Sequence, residues 1–116
     1  MEKRAETEYP IHELLARRWS PRAIEPRPIP AADVRSMLEA YRWAASAFNE
    51  QPWRVIVARR EDSAGFETML GCLAEGNRSW AVNAGVLMIA VARLNFTRND
   101  RQNRVALHDL GLAAGH

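Results

Sequence analysis

The sequence predicts an α+β fold, with helices packed around a small sheet, and three observations carry that expectation. Two short runs, Trp53 to Ala58 and Gly85 to Ala92, are dense in β-branched and apolar residues. About four other segments repeat apolar residues at helical spacing. The composition, 47% hydrophobic and 26% charged over 116 residues, is that of one folded domain spanning residues 1–116. It argues against intrinsic disorder, because there is enough apolar surface to offset chain entropy.

Pro10 followed by Ile11, Leu14 and Leu15 predicts a short first helix with proline in its first turn. It ends before Pro21, and the four prolines at 21, 26, 28 and 30 predict an extended connector. A second helix runs from about Pro30 to about Ala45, with Val34, Leu38, Tyr41 and Ala45 on the buried face, Met37 beside them and Asp33 in the first turn. Residues 46–52 have turn character, and Gln51, preceding proline, is expected to be extended. Trp53 to Ala58 reads as a largely buried strand. Asp62 or Ser63 caps a third helix with Phe66, Met69, Leu70 and Leu73 inside, and Gly76-Asn77 suits its end. Gly85 to Ala92 is a second buried strand, and 93–102 a polar loop. Asn103 caps a last helix carrying Leu107, Leu110 and Ala114. That helix has no stop signal before His116, and two strands make a marginal sheet, so the sequence reads as the front part of a larger fold. Left without intrachain cover, its leucines would form an apolar patch, which predicts a dimer or larger assembly.

Several classes of function are disfavoured. The longest apolar run, Val86 to Ala92, is too short to span a bilayer, and no apolar core follows the charged N-terminus as in a secretory signal. The single cysteine, Cys72, excludes an internal disulfide and a multi-cysteine zinc site. A cytoplasmic setting is therefore expected, with Cys72 itself in the core. Net charge is only +2, and 15 of the 16 basic residues are arginine. Codon bias explains that, or else anion recognition by the guanidinium fork. The charges are spread along the chain rather than gathered in a stripe, which argues against nucleic-acid binding.

The glycine-rich, P-loop, HExxH and GxSxG signatures are all missing. His108 beside Asp109 is either an acid/base pair or a pair of ordinary helix neighbours. Two clusters are more informative. Arg17-Arg18-Trp19-Ser20-Pro21-Arg22 sets guanidinium groups and a hydroxyl at a helix end, which suits a phosphate or simply the negative pole of the helix dipole. Ser46, Asn49 and Gln51 precede the first strand. The two carboxamides each offer a donor and an acceptor, which suits the edge of a heterocycle or an ordinary Asx-turn.

Together the clusters resemble the flavin-dependent nitroreductase family. Arg18-Trp19-Ser20-Pro21-Arg22 is similar to its Arg-x-Ser-x-Arg element, and Ala45-Ser46-Ala47-Phe48-Asn49-Glu50-Gln51-Pro52-Trp53 to its Pro-Ser-Ser-x-Asn-x-Gln-Pro-Trp element. Asn103 and Ala106 to Ala113 resemble the start of its long central helix. The resemblance covers about residues 9–116. It implies helices flanking a central antiparallel sheet, incomplete in this chain, in a homodimer with FMN at the subunit interface. Arg18, Trp19, Ser20 and Arg22 would form the phosphate and ribityl end of the cofactor site. Asn49 and Gln51 would hydrogen-bond the isoalloxazine or ribityl groups, and Ser46 matches a position that commonly reaches the flavin bound mainly by the partner subunit. The implied activity is oxidation of NADH or NADPH with electrons passed to nitroaromatics, quinones or similar flat acceptors by a ping-pong route. A flavin carries the hydride chemistry itself, which accounts for the lack of a visible nucleophile or acid/base dyad. The arginines of the 93–102 loop would suit either the extra phosphate of NADPH or solvent.

Two departures stand out. Ala45 and Ala47 replace the family's usual Pro and Ser, and members usually run to about twice this length. The alternative function is therefore a non-enzymatic, dimerising remnant of the fold that has lost flavin binding.

Overall fold

The computed structural model describes residues 3–116. In chain order the described elements are α1 (Glu13–Arg17), α2 (Ala31–Arg42), one turn of 3-10 helix (Ala47–Asn49), β1 (Trp53–Arg59), α3 (Ser63–Gly71), α4 (Glu75–Ala81), β2 (Val86–Ala92) and α5 (Ala106–Gly115). The fold is α+β, as expected, and its two strands are antiparallel, paired from Trp53 opposite Ala92 to Arg59 opposite Val86.

Side chains alternate between the faces of a strand, and the two small cores sort accordingly. Trp53 packs with Ala44 and Ala113, flanked by Tyr41 and Leu110, so α2 and α5 cover one face. The Tyr41 and Trp53 rings meet edge to face at 5.9 Å, an arrangement worth about 0.5–1.5 kcal/mol beyond its buried area. Ala58, on the opposite face, packs with Phe66 and Met69 of α3, flanked by Ala84 and Leu87. Asp62 starts α3 by accepting a hydrogen bond from the Gly65 N–H at 3.2 Å.

Both strands were expected to be buried, yet Ile56, Met88, Ile89 and Val91 are exposed. With one α3 helix on one face and the α2–α5 pair on the other, the middle of each face stays open. On the α2–α5 face this leaves a groove of about 680 Å³ lined by Met37, Tyr41, Val55, Met88, Ala90 and Ala113, among others. The Tyr41 hydroxyl is buried without a hydrogen-bond partner, and burial pushes its pKa up.

Several helix limits differ from expectation for identifiable reasons. α1 has five residues, because its first-turn amides are capped by His12, whose Nδ1 accepts from the Leu14 N–H at 3.2 Å. α2 stops at Arg42, short of Ala45. There Glu39 accepts from Arg42 Nε at 3.0 Å and Nη2 at 2.7 Å, and from Trp43 Nε1 at 2.8 Å. Those donors hold the Glu39 carboxyl at about 2. On α2, Val34 is buried and Met37 exposed; past the helix end Ala44 is buried and Ala45, expected inside, is exposed.

Gly76-Asn77 does not end α3; both residues lie inside α4. Arg78 makes the bend between the two helices by donating to the carbonyls of Gly71 and Leu73 at 3.2 and 3.3 Å. Cys72, expected in the core, caps α3 and is exposed. Asn103, expected to cap the last helix, stands two residues before its N-cap, Val105, which carries no side-chain cap; the Asn103 Oδ1 instead accepts from the Val105 N–H at 3.2 Å, in a turn that leads into α5. The inner face of α5 is Ala106, Asp109 and Ala113, so Leu107 is 66% exposed and Ala114 also faces out.

The N-terminal arm lies against the body loosely. Of the residues of α1 only Ala16 is buried, and the arm is tied mainly to itself by Ala5 N–H to Ala16 C=O and by the exposed Arg4–Glu13 pair. The radius of gyration, 16.6 Å, exceeds the about 13 Å of a compact chain this long. Firm docking resumes at the end of the connector. Arg59 donates to the Ile29 carbonyl at 3.0 Å, and a Cβ on Gly85 would stand 2.5 Å from the Arg27 carbonyl oxygen. Only glycine lets the connector approach that closely.

Candidate functional site

The segment from Ser46 to Pro52 leaves α2 in extended geometry, turns sharply, and enters β1. Phe48, Asn49 and Gln51 have φ of 55°, 53° and 49°, in the left-handed region. Gln51 is therefore not extended, contrary to the usual preference before proline. A residue with a Cβ adopts this region at a cost of about 1–2 kcal/mol, less for asparagine, so the surroundings must stabilise the loop.

They do so from four directions. Asp109 Oδ2 accepts from the Ala47 N–H at 3.0 Å. Ser46 Oγ accepts from the Gln51 N–H at 3.0 Å, and Gln51 Nε2 donates to the Arg42 carbonyl at 3.2 Å. Glu50 Oε1 accepts from the Thr97 N–H at 2.6 Å and from the Thr97 hydroxyl, which ties the segment to the 93–102 loop. These bonds, the hydroxyl's above all, hold the Glu50 carboxyl below its ordinary value, helped by the charges of Arg93 and Arg98. Finally, the Arg98 guanidinium lies 4.1 Å over the Phe48 ring and 5.4 Å from that of Phe96.

With the backbone so fixed, the polar groups of the loop divide into engaged and open. The Ser46 hydroxyl accepts one bond and keeps its proton to donate. Gln51 spends its amide N–H on Arg42 and keeps its oxygen. The Asn49 carboxamide is exposed and has no partner among the described residues.

The arginine cluster is built differently. Arg18 follows α1, its backbone N–H closing the helix on Leu14 C=O and its Nη1 reaching Ser20 Oγ at 3.5 Å, a long contact. Lys3 Nζ lies 5.7 Å from the Trp19 ring centroid. Arg22 is exposed with no hydrogen bond, ion pair or ring contact among the described residues. The structure thus brings Arg18 to Ser20, and Ser46 to Gln51, but no hydrogen bond, ion pair or ring contact joins the two clusters within the described chain. The free guanidinium and carboxamide groups fit the donor set that a phosphate-bearing heterocycle such as FMN requires.

The residues that shape the loop went unrecognised in the sequence. Glu50, Thr97 and Arg98 act across 47 or more positions, which no local pattern reveals. Asp109 had one readable sign, a carboxylate on the helix face shared with Ala106 and Ala113. His108, weighed as its acid/base partner, is exposed, with Nδ1 3.6 Å from Asp109 Oδ1, beyond hydrogen-bond reach.

Comparison with known proteins places this geometry. A family model described as "Nitroreductase family" matches residues 15–84. An oxidoreductase containing FMN, known from its crystal structure, superposes with a TM-score of 0.87 at 35% identity, over 95% of this chain and 57% of its own. A protein assigned as a nitroreductase, solved in complex with FMN from Desulfovibrio desulfuricans, gives 0.71 at 27% identity, over 94% of this chain and 60% of its own. An FMN-dependent nitroreductase from Clostridium difficile R20291 shares the fold, with a TM-score of 0.65 at 22% identity over 84% of this chain and 52% of its own. The chain therefore spans little more than half the length of these structures. No curated protein sequence matches it. The family match takes in both the arginine cluster and the carboxamide loop, and the FMN-containing oxidoreductase is 35% identical over 95% of the chain: this chain belongs to the nitroreductase family.

Proposed function

We propose that the protein is a flavin oxidoreductase that binds FMN, takes electrons from NADH or NADPH, and passes them to nitroaromatics, quinones or similar flat acceptors in a ping-pong cycle. The observation that carries this reading is the carboxamide loop: a strained segment held in one conformation by four sets of contacts, with the Asn49 carboxamide, the Gln51 oxygen and the Ser46 proton left open. A conformation that costs energy and presents unpaired polar groups is the mark of a binding element.

Bound FMN would supply the hydride and electron chemistry. The chain's residues would bind and orient it. Arg18, Ser20 and Arg22, with Trp19 between them, suit the phosphate and ribityl end, where charge-assisted bonds are stronger than neutral ones. Asn49, Gln51 and Ser46 suit the ring and ribityl groups, and amide donors near the pyrimidine end stabilise the negative charge that reduction brings. We place this site in a homodimer, with the Ser46 end of the carboxamide loop reaching the flavin held mainly by the partner copy. Exposed Leu107, Ile56 and Val91 are consistent with such an assembly, and a cytoplasmic setting fits the lone cysteine. Among the described residues no helix is long and apolar enough to cross a membrane.

Titration with FMN tests the reading directly. The expected result is saturable binding with a flavin absorption band, and turnover of NADPH with a quinone once FMN is supplied. A chain that stays colourless and ignores added FMN would overturn it in favour of the dimerising remnant. A strictly monomeric sedimentation profile at micromolar concentration would remove the homodimer.

A further inference from the structure

The bond between Ala47 and Asp109 links the candidate site to a helix that takes no other part in it. Asp109 lies in the first turn of α5 and is only 5% exposed, between buried Ala106 and Ala113 on the same helix face. One oxygen accepts the Ala47 N–H at 3.0 Å across 62 positions of sequence; the other stands 3.6 Å from the exposed His108. A carboxylate in this setting is expensive, because burial strips it of water and a single protein donor replaces little of that hydration. The positive end of the α5 dipole offsets part of the cost. An apolar residue would fill the same space with no such cost, so packing does not account for an acid here.

What the acid does is fix Ala47 at the point where the backbone turns. Ser46 is extended, with φ −149° and ψ 157°, and the chain enters the left-handed region immediately after Ala47. Release of the Ala47 N–H would let Phe48 and Asn49 relax toward right-handed geometry, and the Asn49 carboxamide would lose its direction. We propose that Asp109 is the positioning residue of the cofactor loop, setting the aim of Asn49 through the Ala47 amide without touching the ligand. The ligand part of this assignment rests on the flavin reading above; the anchoring part does not.

The experiment is residue-resolved amide hydrogen exchange on the 116-residue chain without FMN, followed by FMN titration, for wild type, Asp109→Ala and Asp109→Asn. Asparagine keeps an acceptor oxygen where Oδ2 stands, so it should rescue. Exchange at Ala47 is expected to quicken by at least about tenfold in Asp109→Ala, as suits loss of a charge-assisted bond, and to stay near wild type in Asp109→Asn. FMN affinity should fall with the same pattern. Unchanged Ala47 exchange in a folded Asp109→Ala variant overturns the anchor. Faster exchange with undiminished FMN affinity overturns the positioning role while leaving the flavin reading intact. A wild-type chain that ignores FMN overturns the flavin reading, and the exchange data still decide the anchor. Should Asp109→Ala not fold, Asp109→Ser, whose shorter side chain cannot reach Ala47, reads the same quantities.

Discussion

The two clusters that face the proposed cofactor are organised in opposite ways. The 46–52 loop is strained and tied to α2, α5 and the 93–102 loop. The 18–22 segment is exposed, has one long internal contact, and belongs to an arm that barely touches the body. The first fixes its geometry through bonds to the rest of the fold; the second has few such bonds. A braced half can select a ring by its hydrogen-bonding edge, whereas an exposed cationic half can meet a phosphate. Energetically, a change in the loop should be felt in stability and binding alike, and a change in the arginine segment in binding alone.

Four experiments sharpen or break this contrast. The largest effect is expected from the Arg18→Ala/Arg22→Ala double variant. Loss of two charge-assisted bonds, each worth about 1.5–3 kcal/mol, should weaken FMN binding by about a hundredfold or more. Thermal stability should stay near wild type, because neither guanidinium supports the fold; a clear drop in Tm would break the contrast. Gly85→Ala comes next. The new methyl group collides with the Arg27 carbonyl and Ile29, so the connector must shift, at a cost of about 1–3 kcal/mol in denaturant unfolding. It should also loosen the arm, seen as faster amide exchange before residue 29.

Asn49→Val is expected to cost about 1–2 kcal/mol, since a β-branched residue is poorly tolerated at φ 53°. Asn49→Gly, free of that strain, should unfold like wild type yet bind FMN more weakly. The smallest effect concerns pH. The Glu50 carboxyl is held below its ordinary value of 4.5, so its contribution is present above that value and is lost as pH falls through the lower folded-state value. Glu50→Gln should therefore lower Tm modestly at neutrality, with the gap to wild type closing, and the acid limb of the Tm-against-pH profile flattening, below about pH 5.

These residues also mark how far the sequence could be read. Strand positions were legible, because runs such as Trp53 to Ala58 carry their own β preference, and Asp62 announced the start of α3. The lone Asn-x-Gln-Pro-Trp element was legible as a motif. Its conformation was not: a residue before proline is ordinarily extended, and Gln51 is held left-handed by bonds to Ser46 and Arg42 within a loop that Asp109 and Thr97 brace from 47 or more positions away. α4 was hidden for a related reason. Gly76 and Asn77 have the chemistry of a helix end, but Arg78 reaches back to Gly71 and Leu73 and starts a new helix through them. Burial of the strands was misjudged because an apolar run reports what a residue prefers, not whether the rest of the chain suffices to cover it.

The bond from Ala47 to Asp109 also fixes an order of assembly. A ribosome releases the amino end first, so the carboxamide loop emerges long before the helix that fastens it, with 62 positions of chain between them. Until α5 docks, Phe48, Asn49 and Gln51 lack the Ala47 anchor that helps hold them in the left-handed basin, and the nascent segment samples ordinary turns. Maturation of the site is thus a late, long-range event, set by the closing of a large loop rather than by the speed at which any single helix or hairpin forms.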